Sequence, residues 1–258
     1  MNAVLSVTNQ KGGVAKTTTA LHLAVGLARQ NPKKKTLYID LDPQRNGTDV
    51  LLKESDFDAE RTVFHLFQGN PVTSLQLHET EQKNLMVIPS SLQLVEVETM
   101  LSNALDGFFR LNENLAPLAN EFDFTIIDCP PSLSVLTINA LVAARGILIP
   151  LQASKFSVDG IQGLVNAINT VQKRYNANLE IIGGVFTMFN ERTTISQMMT
   201  EEISQNMKLF NTNIPSSVAV EEAHLLKQSL YDYAPKNKVA IAYEQLTKEV
   251  YNVLQKIG

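Results

Sequence analysis

The sequence predicts a single α/β domain built on a mostly parallel, doubly wound sheet flanked by helices, and three features carry that prediction. Short β-branched or apolar runs alternate with helical patterns along the chain, the rhythm of a parallel sheet covered on both faces. A Gly-rich segment ending in Lys-Thr-Thr, residues 11–18, stands between the first apolar run and the first helical pattern. Two of the apolar runs end in an aspartate, Asp40 and Asp128, and the carboxyl ends of parallel strands are where such folds gather a site.

Taken in order, residues 3–8 read as the first buried strand. Ala20, Leu23, Ala24, Leu27 and Ala28 then recur at helical spacing and predict a core-facing helix. Lys33, Lys34 and Lys35 form a charged turn, read as solvated. Strands follow at 36–40, 85–88, 124–128, 146–150 and 181–187, with loops at 69–71 and 211–215. Ile161, Leu164, Val165, Ile168 and Val171 mark another core-facing helix. The segment 239–257 places Ala242, Leu246, Val250, Val253, Leu254 and Ile257 on one stripe. We read it as a packed terminal helix rather than a membrane-surface anchor, because Glu244 and Glu249 temper its positive charge and its apolar face has no Phe or Trp.

The 258 residues contain 44% hydrophobic and 19% charged residues, and nothing marks a break between domains, so 1–258 is expected to fold as one unit. No stretch approaches the run of about 18 apolar residues that a membrane span needs. The start has no secretory pattern, and Cys129, the single cysteine, allows no internal disulfide; the cytoplasm is the expected compartment, and packing the expected role of Cys129. With 22 Lys plus Arg against 26 Asp plus Glu, the net charge is −4. Any nucleic-acid contact must therefore come from a local basic patch.

The run Lys11, Gly12, Gly13, Val14, Ala15, Lys16, Thr17, Thr18 has the strand before it and the helix after it that a phosphate-binding loop requires. Small residues let backbone N–H groups curl around a phosphate, and the helix N-terminus adds its positive dipole end. Lys16 neutralises terminal phosphates and Thr17 offers a hydroxyl to Mg²⁺. At the second strand's end, Asp40 and Asp42 of Asp40-Leu41-Asp42-Pro43-Gln44 would face those phosphates. The strand ending in Asp128, followed by Cys129-Pro130-Pro131-Ser132, offers a carboxylate that could hold Mg²⁺ through water, and the prolines end the strand and fix the next loop.

Gln10 stands where the usual phosphate loop has its first glycine, and Lys11 precedes the glycine pair. In this the segment resembles the deviant Walker A motif of the ParA, MinD and nitrogenase-iron-protein group of P-loop ATPases. The resemblance implies that Lys11 crosses an ATP-sandwiched dimer interface to the partner's phosphates, that Asp42 helps position the attacking water, and that Asp40 lies near the metal shell with Thr17 and Asp128. The segment 214–223 resembles the family stretch bordering the adenine, with Pro215 and Ser217 on the base side. Asn9-Gln10, Asp42-Pro43-Gln44 and Cys129-Pro130-Pro131-Ser132 resemble ParA rather than MinD, and one cysteine does not support a cluster-binding iron protein. The strand begins at once, as in the short Soj-like class without an N-terminal helix-turn-helix.

That resemblance implies an ATP-closed homodimer that binds nonspecific double-stranded DNA, associates with the nucleoid in the ATP state, and is stimulated by a ParB-like protein to hydrolyse and release. The positioning of a protein cargo, a MinD-like division regulator and a nonhydrolysing binding module are the alternatives. Arg192 matches a position where the family can place a DNA-contacting arginine, whereas Ser216 replaces a basic residue common there. Ala15 stands where the family loop has glycine; a negative φ is expected at that position, which would accommodate the methyl group.

Overall fold

The computed structural model describes residues 3–73, 76–153 and 157–257, with side chains from 161 onward in the last segment. Its sheet has seven strands: β1 (Ala3–Val7), β2 (Thr36–Asp40), β3 (His78–Glu79), β4 (Leu85–Ile88), β5 (Phe124–Asp128), β6 (Gly146–Gln152) and β7 (Glu180–Thr187), in the order β3-β4-β2-β5-β1-β6-β7. All pairings are parallel except β3 with β4. The helices are α1 (Lys16–Gln30), α2 (Asn46–Leu51), α3 (Phe64–Phe67), α4 (Val97–Leu101), α5 (Arg110–Leu115), α6 (Val135–Ala143), α7 (Ser157–Arg174), α8 (Thr194–Ser204), α9 (Ala219–Leu225), α10 (Leu230–Tyr233) and α11 (Lys238–Ile257).

Because successive side chains of a strand point to opposite faces, each buried strand feeds two cores. Leu5, Val7, Tyr38, Val87 and Ile126 pack under α1 and α11 with Leu23, Leu27, Leu246 and Val250. Leu37, Ile39 and Ile127 pack on the other face with Phe64, Leu111 and Leu136. Ile147, Ile149 and Phe186 continue that second face beneath Leu164, Ile168 and Met199. The stripe on α11 is thus a packing surface: Ala242, Leu246, Val250 and Leu254 are buried. Among the described residues no helix is long and apolar enough to cross a membrane.

Three local readings change. β3 is an additional antiparallel edge strand, two residues long, in a stretch without the apolar run that announces a strand. β6 and β7 extend slightly beyond the segments read from sequence, and their ladder slips by one residue between Ile147 and Leu148. Of the three turn lysines, Lys33 and Lys35 are exposed, but Lys34 lies over the rings of Phe124 and Tyr251, 5.1 and 5.8 Å from their centroids. Its nonpolar stem covers the foot of the sheet while the ammonium stays 3.8 Å from Asp123.

Candidate functional site

Between the end of β1 and the start of α1 the chain must leave the sheet and reverse into the helical layer. The loop that does this is tied down on two sides. Asn9 Nδ2 donates to the Pro150 carbonyl at 2.8 Å, while its Oδ1 accepts from Lys11 N at 3.0 Å. The buried Thr187 hydroxyl, at the end of β7, lies 3.1 Å from the Val14 carbonyl and 3.0 Å from that of Leu151. Lys16 folds back over the loop and its Nζ donates to the Lys11 carbonyl at 2.9 Å. α1 then starts with no side-chain cap and no acidic residue in its first turn, so its first N–H groups and positive dipole end are suited to an anion.

Gly13 has φ 72°, a conformation glycine adopts freely. Ala15 has φ 59° and ψ 37°, which corrects the negative φ expected from sequence. The reversal occurs at this residue, and the carbonyls on both sides are held: Val14 O by Thr187 and Ala15 O by Thr19 N at 2.9 Å. An L-residue in this region costs roughly 1–2 kcal/mol, so the surrounding bonds impose the conformation on Ala15.

The parallel register sets Asp40 beside Asp128. Asp40 is buried with both oxygens engaged: Oδ1 accepts from Asp42 N at 3.0 Å, and Oδ2 accepts from the Thr48 amide and hydroxyl, each at 2.8 Å. Asp42 Oδ1 accepts from Gln44 N at 3.0 Å, and the Asp42 carbonyl accepts from the Ser90 hydroxyl at 2.6 Å. Asp128 Oδ2 accepts from the Tyr38 hydroxyl at 3.1 Å, whereas Oδ1 is buried without a hydrogen-bond partner. Burial first, and then the Asp40 charge, pushes Asp128 well above the usual carboxylate range, against the opposing Thr17 and Tyr38 hydroxyls. Burial likewise pushes Asp40 up to about 6 despite the Thr48 bonds, and lowers Lys16 against the attraction of Asp128.

Such a concentration of buried carboxylates favours a cation. The donor set fits Mg²⁺: Asp128 supplies a hard oxygen with no other partner, and the Thr17 hydroxyl acts on the same carboxylate. Among the described residues no group of three His, Cys, Asp or Glu side chains forms a complete cage. Mg²⁺ rarely uses one, since it keeps several waters and takes one or two protein oxygens.

Lys11 is half-buried, with Nζ 3.4 Å from Gln152 Oε1. Gly12, Gly13, Val14, Ala15, Lys16, Thr17 and Thr18 run through the loop into α1. Pro215 bridges to Phe189 just beyond β7, and Ser217 Oγ lies 3.1 Å from Asn237 Nδ2 and 3.3 Å from Ala219 N. Both residues are in the segment leading into α9, at the same end of the sheet as the loop but without a hydrogen bond to it. Arg192 is exposed in the turn before α8. Cys129 is buried beside Ser6, 3.1 Å away, and burial pushes its thiol up to about 12, as befits packing. A cleft of about 1010 Å³ lies elsewhere, between the β3–β4 edge and the 226–232 segment. Sequence reasoning missed Asn9 as a tether, and Tyr38, Thr48 and Thr187 altogether; the only trace of the last three is a polar atom inside or beside an apolar run.

A family model described as an AAA domain matches residues 2–181. The chain is 37% identical over 251 residues to the chromosome partitioning protein ParA of Myxococcus xanthus, covering 96% of this chain and 87% of that protein. It is 36% identical over 252 residues to the sporulation initiation inhibitor protein Soj of Bacillus subtilis, covering 97% and 98%. Among solved structures, cobyrinic acid a,c-diamide synthase from Mycobacterium smegmatis with bound ATP analog and magnesium superposes with a TM-score of 0.83 at 32% identity, covering 97% of this chain and 95% of that one.

Proposed function

The chain belongs to the ParA/Soj family of chromosome-partitioning ATPases, and from that membership we propose that it is an ATP-driven dimer switch that segregates DNA. The observation that carries the reading is the loop at the end of β1, with Lys16 folded over it and Asp128 Oδ1 left without a partner beside it. The backbone N–H groups of Gly12 through Thr18 bind the phosphates, and Lys16 exchanges the Lys11 carbonyl for phosphate oxygens. Lys11 reaches across to the phosphates held by a second copy, which makes nucleotide and dimer mutually dependent. Thr17 and Asp128 hold Mg²⁺, with Asp40 fixing the 42–48 segment behind them. The bound ion, when present, neutralises charge on the phosphates. Asp42 orients the attacking water, and Pro215 and Ser217 border the base.

In this scheme ATP selects the closed dimer, and the closed dimer binds double-stranded DNA of any sequence, with Arg192 among its phosphate contacts. A ParB-like protein accelerates hydrolysis, and loss of the γ-phosphate removes the contacts that distinguish closed from open. In its ATP state, before hydrolysis, the protein sits on the nucleoid. The test is binding to random-sequence duplex DNA across a salt series with ATP, ADP or no nucleotide, alongside light scattering. The expected result is ATP-specific, salt-sensitive binding by a dimer; an ATP dimer that ignores DNA even at low salt refutes the DNA-segregation reading.

A further inference from the structure

We propose that Tyr38 is a positioning residue for Asp128, fixing its carboxylate so that one defined oxygen, Oδ1, is kept for the hydrated cation; this rests on the Mg²⁺-nucleotide reading above. In the parallel ladder Tyr38 pairs with Ile126 and Asp40 with Asp128. Tyr38, Asp40 and Asp128 therefore share one face of the sheet, with Asp128 diagonally ahead of the phenol. Tyr38 is fully buried among the residues under α1, and its hydroxyl donates to Asp128 Oδ2. Since Asp40 has both oxygens filled by Asp42 N and Thr48, Asp128 Oδ1 is the carboxylate oxygen of that pair left buried and unbonded.

The hydroxyl's seat depends on a missing side chain. Gly47, at the start of α2, faces it so closely that an added Cβ would stand 1.9 Å from Tyr38 Oη and 2.7 Å from Cζ. A tyrosine that only filled the core would need no such vacancy at its polar tip. Here the vacancy admits an oxygen whose single proton goes to the metal-site carboxylate. A hydrogen bond behind a metal ligand orients that ligand and typically changes metal affinity by tenfold or more.

The test is Tyr38→Phe, which keeps the ring and removes the hydroxyl. Binding of a fluorescent ATP analogue is titrated with MgCl₂ and, separately, measured in EDTA. A rise of about tenfold in the Mg²⁺ concentration for half-saturation is expected, with affinity in EDTA unchanged. Gly47→Ala, which keeps the phenol but pushes its hydroxyl out of place, is expected to raise the Mg²⁺ requirement in the same way and carries the test should Tyr38→Phe fail to fold. An unchanged Mg²⁺ requirement in a folded variant overturns the proposal, and so does equal weakening with and without Mg²⁺, which marks a purely structural role. Absence of any Mg²⁺-dependent binding by the unmodified protein would instead overturn the underlying functional reading.

Discussion

Ala15 is held in the left-handed region with φ 59°, and the bonds that hold it are the same ones that shape the phosphate loop. Relieving that strain with Ala15→Gly should raise stability. Glycine adopts the conformation without the roughly 1 kcal/mol cost to alanine, so the thermal midpoint by calorimetry should rise by about 2–4 °C. An unchanged or lower midpoint would mean that the extra freedom of glycine in the unfolded chain cancels the relief. Thr187 is the complementary case. Thr187→Val preserves the branched shape while removing the hydroxyl from the Val14 and Leu151 carbonyls. The loss of about 1 kcal/mol of hydrogen bonding should fall on loop order, so nucleotide affinity measured by titration calorimetry is expected to drop about fivefold with the fold intact. Wild-type affinity in this variant would show that the loop needs no anchor at β7.

At the scale of elements, α1 joins the phosphate loop to the C-terminal layer, and a buried histidine is one of the ties. His22 Nδ1 lies 2.7 Å from the Thr18 carbonyl, and Nε2 accepts from Leu230 N at 2.9 Å; the ring stacks on Tyr243 with centroids 4.9 Å apart. This is the neutral, Nδ1-protonated tautomer, and burial lowers its pKa to about 3. The sign follows: above about pH 6.5 both folded and unfolded states are neutral and the contribution is complete. As pH falls from there toward 3, the unfolded chain takes a proton that the folded one refuses, and about 1.4 kcal/mol is lost per pH unit. Asp40, raised to about 6, acts in the opposite sense, contributing most below its ordinary value and losing that contribution as pH rises through 6. Comparing denaturant unfolding of the wild type and His22→Gln between pH 6.5 and 4 isolates the histidine, and the variant should show the shallower acid loss. Equal slopes would contradict the assignment. The sequence made these elements legible wherever period and burial agreed: the buried runs of β1, β2, β4 and β5, and the stripes of α1 and α11, each face a core that demands them. It left β3 unread because two residues carry no period. It also left unread what depends on neighbours distant along the chain, such as the positive φ of Ala15, the hold of Thr187 on Val14, and the passage of Tyr38 over Gly47 to Asp128.

For the whole molecule, a net charge of −4 means that the proposed binding to DNA has to work against the average field, using local cations at close range. Arg192→Ala should therefore weaken binding of the ATP form similarly across unrelated duplex sequences and reduce the salt slope by about one, as read by fluorescence anisotropy. A variant with unchanged slope would place the contact elsewhere. The strand order has a consequence in time as well as space. β1 leaves the ribosome before the other strands of the sheet, yet it lies between β5 and β6, with Val4 paired to Thr125 and Leu5 to Gly146. At about 5–20 residues per second, its edges wait many seconds for partners, and the clamp from Thr187 arrives later still. A nascent chain thus carries its phosphate loop long before β5, β6 and Thr187 are there to shape it, so nucleotide capture would report that the sheet has closed.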